Sequence, residues 1–337
     1  MLYSGQGMQM RRRQFIALLG GTATWSLVAR AQQNGRVRHI GVLMHSSVDE
    51  HEPQARLAAF VQGLQDVGWS VGHDVRVDTR WSTGDLARLY KDAVEVMALH
   101  PDVVLAGVGQ TTIALIQASR TIPIVFAQAV DPIGAGYVDS LNRPGGNATG
   151  FIQFEYELAG KWLELLKEIA PGVTRAAVLR EPGAGGIGQW AIIQAVSHSL
   201  GVEMKPIGLE TTPSEIERAI SAFAQEPNSG LVVVVSAAAL THRDLIVGLA
   251  ARYRLPTVYP YRELVAAGGL VTYSADITRQ YRRAAGYVDR ILKGENPANM
   301  PVQTPTKYNL VINLKTAKAL GLALSPSLLA RADEVIE

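Results

Sequence analysis

The chain has 337 residues, too many for one ordinary domain and a comfortable length for two. Its hydrophobic content of 47% and its frequent glycines are typical of a soluble globular protein. A formal charge of +2, without a Lys/Arg cluster beyond the N-terminus, argues against nucleic acid as a partner. Cysteine is absent, which excludes disulfides, cysteine-ligated zinc, thiol catalysis and a lipidated cysteine anchor.

Residues 1–31 have the pattern of an export signal. Arginines at 11–13 precede an apolar stretch that runs to Val28, and the Ala-Arg-Ala sequence at 29–31 is typical of a cleavage site. Residues 12–16 also match the twin-arginine pattern R-R-x-F-[IL]. The apolar stretch is too short and too rich in Gly and Thr for a stable membrane anchor.

The alternative for this N-terminus is a basic, partly buried first helix of the mature fold. Three separate features favour export over that alternative. We therefore predict a mature chain that begins at Gln32 and is released to the periplasm, with residues 1–9 as an upstream extension before a start at Met10.

The first half of the mature chain alternates between strand and helix patterns. Val75–Trp81 alternates apolar with polar residues, as a strand with one solvated face does. In chain order, the predicted elements are a strand at Val37–Met44, a helix at Pro53–Val67, a strand at Val75–Trp81, a helix at Asp85–Leu99 capped by Asp85, and strands at Val103–Ala106 and Ile122–Ala127 around a helix.

The last of these elements form one strand–helix–strand unit between Asp102 and Pro132. Both of its strands are wholly apolar, apart from Pro123, which indicates a parallel sheet covered on both faces. The loop Gly107–Thr112 then lies at the carboxyl edge of that sheet, where open α/β proteins bind ligands. The Gly-rich segment Asp131–Thr149 follows, and we predict the first crossing between two lobes there.

The second half repeats the alternation. Its predicted elements are a helix at Leu158–Ile169, a strand at Arg175–Leu179, a helix that ends at Leu200, a strand at Val202–Leu209, a helix from Pro213 capped by Thr212, a strand at Leu231–Val235, a helix at Thr241–Arg252, strands at Thr257–Tyr259 and Leu270–Tyr273, a helix at Ile277–Leu292, a strand at Lys307–Ile312, a helix at Leu314–Leu320 and a short helix after Pro326.

This pattern predicts an α/β fold with parallel sheets. The count of elements allows either one (β/α)8 barrel or two doubly wound parallel-sheet lobes joined by a hinge. The break at Asp131–Thr149 favours the two lobes.

The candidate ligand-binding residues follow or end the predicted strands. Since the carboxyl ends of parallel strands share one edge of a sheet, these side chains should face a common cleft. They are His45, Ser46, Gln110, Thr111, Thr112, Gln128, Asp131, Arg180, Ser236, Tyr259 and Tyr273.

The loop Gly107–Thr112 reads GVGQTT and only partly matches a dinucleotide fingerprint, because Thr112 stands where the third glycine should be. A phosphate-binding P-loop motif is absent from the sequence. The hydroxyls of Thr111 and Thr112, with the amides that open the following helix, can hold a carboxylate. The alternative is that both threonines only cap that helix.

Other side-chain groups give only weak indications of a metal site or of a catalytic nucleophile. His45, Asp49, Glu50 and His51 have no spacing typical of a metal site, and Ser236 lacks the glycines of a nucleophile elbow. We expect no metal and no cofactor, and we interpret Ser236 as a hydrogen-bond donor in a cleft or as a polar strand end.

An aromatic pocket with a cation is a further hypothesis, with Tyr259, Tyr261, Tyr273 and Arg262 as its members. Half-buried packing is the alternative for these tyrosines. Arg180 with Glu181 could likewise form only a solvated salt bridge, and Asp131 could merely begin the crossing loop.

Four segments together resemble a known family. They are the twin-arginine leader ending in ARAQQ, IPIVFAQAVDPIGAGYV at Ile122–Val138, RPGGNATGF at Arg143–Phe151 and the tail from Tyr308 to Glu337. They are similar to the substrate-binding proteins of ABC transporters of the tryptophan/tyrosine type. The resemblance covers essentially the whole chain.

The resemblance implies a type I periplasmic-binding-protein fold, a small-molecule solute, an ABC permease as partner and no catalysis. It also implies crossings near Gly150, Asp276 and Met300. The first lobe would comprise 36–149 with 277–300, the second 150–276 with 301–337, and we expect a monomer. Competing readings are an exported α/β enzyme, either a hydrolase or a cofactor-dependent oxidoreductase, and the effector lobes of a transcription regulator.

We predict that replacing Arg12 and Arg13 with Lys blocks export, because the twin-arginine pathway reads both guanidinium groups. The measurement is the amount of protein in the periplasmic fraction, with the N-terminal residue of the exported chain identified by mass spectrometry. Unaltered periplasmic yield of the double variant would contradict the twin-arginine assignment.

Overall fold

The computed structural model describes residues 36–83, 86–209 and 211–337. The predicted signal peptide at 1–31 and the predicted cap Asp85 lie outside these residues. Strands and helices alternate through the described part of the chain, as the apolar patterns predict.

Most strands begin and end within two residues of their predicted bounds. They are β1 (Arg38–Met44), β2 (Val75–Trp81), β3 (Val103–Ala106), β4 (Ile124–Ala129), β5 (Ala148–Ile152), β6 (Arg175–Arg180), β7 (Glu203–Gly208), β8 (Ser229–Val233), β9 (Thr257–Tyr259), β10 (Val271–Ala275), β11 (Tyr308–Asn313) and β12 (Glu334–Ile336).

The helices are α1 (His51–Asp66), α2 (Leu86–Ala98), α3 (Gly109–Ala118), α4 (Leu158–Ile169), α5 (Ala184–Ser197), α6 (Pro213–Phe223), α7 (Ala237–Thr241), α8 (Arg243–Arg252), α9 (Arg262–Ala266), α10 (Ile277–Leu292), α11 (Leu314–Ala319) and α12 (Pro326–Arg331). The predicted helix Thr241–Arg252 corresponds to α8, and α7, α9 and β12 are additions to the predicted set.

The first sheet has five parallel strands in the order β2-β1-β3-β4-β5. Strand β5 is a correction to the prediction that the whole segment Asp131–Thr149 is irregular. Its sequence, ATGFI, contains Gly150 and is too short for a clear periodic signal. The lobe boundary predicted at residues 149/150 falls inside this strand.

The second sheet has seven strands in the order β12-β11-β10-β9-β8-β6-β7. Strands β7, β6, β8, β9 and β10 are parallel to one another. Strand β11 is antiparallel to β10, and β12 is parallel to β11. Two separate, mostly parallel sheets make the alternative of a single closed barrel wrong. We call each sheet with the helices packed on it the first and the second lobe.

Helix α10 follows the second lobe in sequence but packs on the first. Its residues Tyr281, Ala284 and Val288 share a buried cluster with Ile40 and Phe60 of β1 and α1. The chain must therefore return to the first lobe after β10 and leave it again before β11.

Three segments of chain join the lobes, at 153–157, at 276 and at 303–307, and we call them the hinge segments. Backbone hydrogen bonds hold them side by side. Ile152 N–H donates to Gln303 O at 2.9 Å, and Asp276 N–H donates to Lys307 O at 3.1 Å. The segments lie near the three crossings that the family resemblance implied.

Close packing of α10 on α1 depends on Gly63. A Cβ atom at this position would collide with the backbone oxygen of Arg282 and would lie 2.9 Å from the Cβ of Ala285. Because both opposing groups belong to a helix in a packed core, neither can move aside cheaply.

We predict that Gly63→Ala destabilises the protein by about 1–3 kcal/mol through overpacking. The matched control is Gly248→Ala in α8, where an added Cβ meets open space. That substitution should be neutral or stabilise by roughly 0.5–1 kcal/mol, since Ala favours helix over Gly. Urea unfolding of both variants is the measurement, and equal effects would contradict the packing argument.

Candidate cleft between the two sheets

The two sheets each have one point where the strand order reverses, between β1 and β3 and between β6 and β8. In open α/β sheets such points form a crevice at the carboxyl ends of the strands, and ligands bind there. His45 follows β1, the loop 107–110 follows β3, Arg180 ends β6 and Ser236 follows β8. Strand order therefore places these three residues and this loop at the two crevices.

The loop before α3 is held rigidly by hydrogen bonds. Tyr281 Oη donates to the carbonyl oxygen of Gly107 at 2.8 Å, and Tyr137 Oη donates to that of Gly109 at 3.0 Å. Burial, assisted by the nearby charge of Asp131, raises the pKa of Tyr137 to about 12, so its hydroxyl stays protonated and donating.

Thr111 and Thr112 are completely buried, and their hydroxyls bond within the loop. Thr111 Oγ1 donates to Val108 O at 2.6 Å and accepts from Val108 N–H at 3.0 Å. Thr112 Oγ1 donates to Val108 O at 3.1 Å. The Thr111 hydroxyl, which accepts from the Val108 amide, has the capping role that the sequence left as the alternative, whereas the Thr112 hydroxyl only donates to the carbonyl one turn back. The amides of the first turn of α3, which have no partner inside a helix, are the groups that the loop offers to an anion.

Three predicted residues carry a buried polar atom without a hydrogen-bond partner among the described residues. These atoms are His45 Nδ1, Gln128 Oε1 and Arg180 Nε. A buried polar atom left unpaired costs about 1–3 kcal/mol. Such atoms at the carboxyl ends of β1, β4 and β6 indicate groups that a ligand or water pairs.

The polar groups of Asp131 and Ser236 are engaged within the protein. Asp131 Oδ1 accepts from Gly134 N–H at 2.9 Å, and its Oδ2 accepts from Tyr156 Oη at 3.5 Å. Ser236 Oγ accepts from Ala239 N–H at 3.1 Å and caps α7. Ser46 and Gln110 are half-buried at the same edge.

The proposed aromatic pocket needs a correction. Tyr259 is in register with Thr272, so Tyr259 and Tyr273 lie on opposite faces of the second sheet. Tyr259 is buried in the core, and this burial raises its pKa, whereas Tyr273 packs on Tyr308 with ring centroids 5.5 Å apart. The two tyrosines therefore cannot share one pocket.

Tyr261 and Arg262 do line a cavity, of about 270 Å³, which lies between the lobes beside the hinge segments. We call it the hinge cavity. Its walls come from helices α1, α4, α9 and α10, the hinge segments, the segment after β8 and the strands β10 to β12 with their flanking residues. They are Glu52, Arg56, Gln153, Phe154, Leu158, Trp162, Val235, Pro260, Tyr261, Arg262, Glu263, Ser274, Ala275, Asp276, Ile277, Thr278, Lys307, Asn309, Val311, Asp333 and Glu334.

None of the eleven predicted site residues lines the hinge cavity. Two of them are neighbours of wall residues, because Val235 precedes Ser236 and Gln153 N–H donates to Ala129 O, next to Gln128. Two of its wall residues, Arg56 and Asn309, also carry an unpaired buried atom, Nε and Oδ1. In the sequence, Arg56 has only the pattern of a surface helix residue, so it could not have been found before the lobes were placed.

Across the described part of the chain, no helix is long and apolar enough to span a membrane. Within residues 36–83, 86–209 and 211–337, no three side chains of the metal-binding types come together closely enough to hold an ion.

The model of the ABC transporter substrate binding protein family matches residues 40–336. The chain belongs to this family. The family resemblance drawn from the sequence is thereby confirmed, and the two mostly parallel sheets confirm the predicted α/β fold. The match begins beyond the N-terminal segment and says nothing of the twin-arginine leader.

Three similar proteins illustrate the match. A protein from Clostridioides difficile named tyrosine-binding protein is 24% identical over 295 residues, which are 85% of this chain and 81% of that protein. A crystal structure from Vibrio cholerae, described as a conserved domain protein, has a TM-score of 0.79 and 25% identity, covering 89% of this chain and all of that one.

A third relative is a Streptococcus pneumoniae structure described as the ABC domain in complex with L-Trp. It has a TM-score of 0.80 and 24% identity, and it covers 89% of this chain and all of the other. At this level of identity the structural match shows the fold.

We predict that Thr111→Ala destabilises the protein by about 1–2 kcal/mol, because it removes a buried cap with two hydrogen bonds. Thr112→Ala, which removes one longer bond, should cost less. The exposed Thr211→Ala is the control, and urea unfolding is the measurement. Unchanged stability of Thr111→Ala would favour the ligand-contact reading of this hydroxyl over the capping one.

Proposed function

We propose that this protein is the extracytoplasmic solute receptor of an ABC importer. The two lobes close by hinge motion on a small organic molecule, and the closed complex delivers it to the transmembrane permease. The observation that carries this proposal is the set of unpaired buried atoms of His45, Gln128 and Arg180 at the facing edges of the sheets. Membership of the substrate-binding family supports it.

The proposed ligand is an amino-acid-like carboxylate with an apolar, aromatic body. The N-terminus of α3 suits the carboxylate, because its amides and the helix dipole both favour negative charge. Phe154, Trp162 and Tyr261 supply aromatic surface in the hinge cavity for the body, in place of Tyr259 and Tyr273. A cavity of about 270 Å³ is near the lower end of ordinary ligand pockets, which favours a molecule of amino-acid size.

The names of the relatives support this ligand class, since one is called tyrosine-binding and another holds L-Trp. The proposed cellular place is the periplasm, with the signal peptide removed near Ala31. In this proposal the protein acts as a monomer and performs no catalysis, because its polar groups are arranged to hold a ligand and to cap helices.

The first test is a thermal-shift screen against amino acids, their aromatic derivatives and a wider solute library. A solute that binds only the folded state raises the melting temperature by mass action. A screen in which the melting temperature rises only with nucleotides or redox cofactors would contradict the receptor proposal and favour the exported-enzyme alternative.

For a solute found in this way, we predict that Arg180→Gln and His45→Ala each weaken binding roughly ten- to a hundredfold. Each removes a hydrogen bond to a charged group, worth about 1.5–3 kcal/mol. The matched control is Arg243→Gln, an exposed arginine paired with Asp244. Isothermal calorimetry is the measurement, and unchanged affinity in both cleft variants would overturn the proposed contacts.

A further inference from the structure

Among the described residues, two ion pairs join the lobes at the wall of the hinge cavity. Arg56 on α1 pairs with Glu263 on α9, and Arg262 on α9 donates to Glu52 on α1 at 3.0 Å. Each helix contributes one acid and one base. Glu52 and Arg56 are one turn apart on α1, so both face the same side of that helix.

The two pairs differ in how far they are removed from water. The side chains of Arg56 and Glu263 are 12% and 16% exposed, whereas those of Arg262 and Glu52 are 41% and 26% exposed. An exposed pair contributes little because solvent screens it, and a desolvated pair with good geometry contributes more. The Arg56–Glu263 pair should therefore contribute more to the free energy of the contact between the lobes than the Arg262–Glu52 pair does.

The electrostatic surroundings of Arg56 favour its pairing. Burial alone would lower the pKa of Arg56, but the negative charges of Glu263 and Glu52 favour its protonated form, and the pKa is raised. Arg56 Nε remains buried without a partner, so the guanidinium is held by part of its fork only. Separation of the lobes would remove Glu263 from this cation.

Arg262 is held differently, because it also pairs with Glu334 in its own lobe. Its Nε and Nη2 donate to the two carboxylate oxygens of Glu334 at 2.8 and 2.6 Å. This bidentate pair positions the guanidinium for Glu52 whether or not the lobes meet. The second lobe therefore presents a fixed cation and the adjacent Glu263 to α1.

We propose that the Arg56–Glu263 and Arg262–Glu52 pairs form an interlobe latch that sets the ratio of closed to open protein. The apparent dissociation constant for a solute is the intrinsic one divided by the fraction of binding-competent protein. The latch residues are then positioning residues for solute binding. The inference rests on the proposed lobe closure and not on the identity of the solute.

The test measures closure in the solute-free protein. Because the chain has no cysteine, Lys91→Cys and His198→Cys place two unique spin labels, one on an exposed site of each lobe. Pulsed electron–electron double resonance then gives the distribution of distances between the two spin labels. We expect Arg56→Gln and Glu263→Gln each to lower the closed-to-open ratio roughly tenfold, the low end for a charged hydrogen bond.

Rescue separates the latch from a merely structural role. The charge swap Arg56→Glu with Glu263→Arg restores an opposite-charge pair and should return the distribution toward that of the parent. The matched control is Glu168→Gln, which removes an ion pair with Arg331 inside the second lobe and should leave the distribution unchanged. Circular dichroism checks that each variant is folded. If Arg56→Gln does not fold, Glu263→Gln alone tests the pair.

Two results would overturn the latch. One is a distance distribution of the folded glutamine variants that superimposes on the parent. The other is a charge swap that stays as open as the single variants. Both distance measurements are made without solute. They therefore test the latch even if no solute of the proposed class raises the melting temperature in the thermal-shift screen.

Discussion

The packing of α10 on α1 is the constraint on which the rest of the structure depends. A helix encoded after most of the second lobe completes the core of the first, with Gly63 allowing its backbone at Arg282 to approach closely. This arrangement forces the chain to cross between lobes three times. Three connections that lie side by side suit the hinge bending that we propose for solute capture.

The same helix also shapes the cleft. The Tyr281 hydroxyl, buried in the first core, donates to the carbonyl of Gly107 across 174 residues of sequence. Together with Tyr137 and the buried Thr111, it fixes the loop before α3 at the carboxyl end of β3. In the proposed function, this preordered helix N-terminus needs little further ordering when the solute carboxylate arrives, so more of the interaction free energy contributes to affinity.

Polar groups at the sheet edges divide into two classes. Those of Thr111, Asp131 and Ser236 satisfy helix ends and turns, and so they build the walls of the cleft. His45 Nδ1 and Arg180 Nε are buried without a partner among the described residues, although Arg180 Nη1 donates to Glu181 O at 3.5 Å, and we propose that a ligand pairs these two atoms. The division matters for specificity, because a site rejects most strongly the solutes that leave its buried polar groups unpaired.

Apolar periodicity in the sequence was enough to predict the fold class and most element bounds, whereas the set of strand-end residues expected to face the cleft stays a prediction. Apolar runs such as Val103–Ala106 are readable because burial on both faces of a sheet leaves no polar position. Short or Gly-containing strands such as β5 were missed, since five residues with a central glycine carry no clear period.

Only the tertiary structure decided which strand-end side chains could meet. The register of β9 on β10 set Tyr259 and Tyr273 on opposite faces, and a one-residue shift would have reversed that outcome. The hinge cavity and its ion pairs join residues more than 200 positions apart, such as Arg56 and Glu263. Their pairing depends on how two lobes approach each other, and local sequence patterns contain no information on that approach.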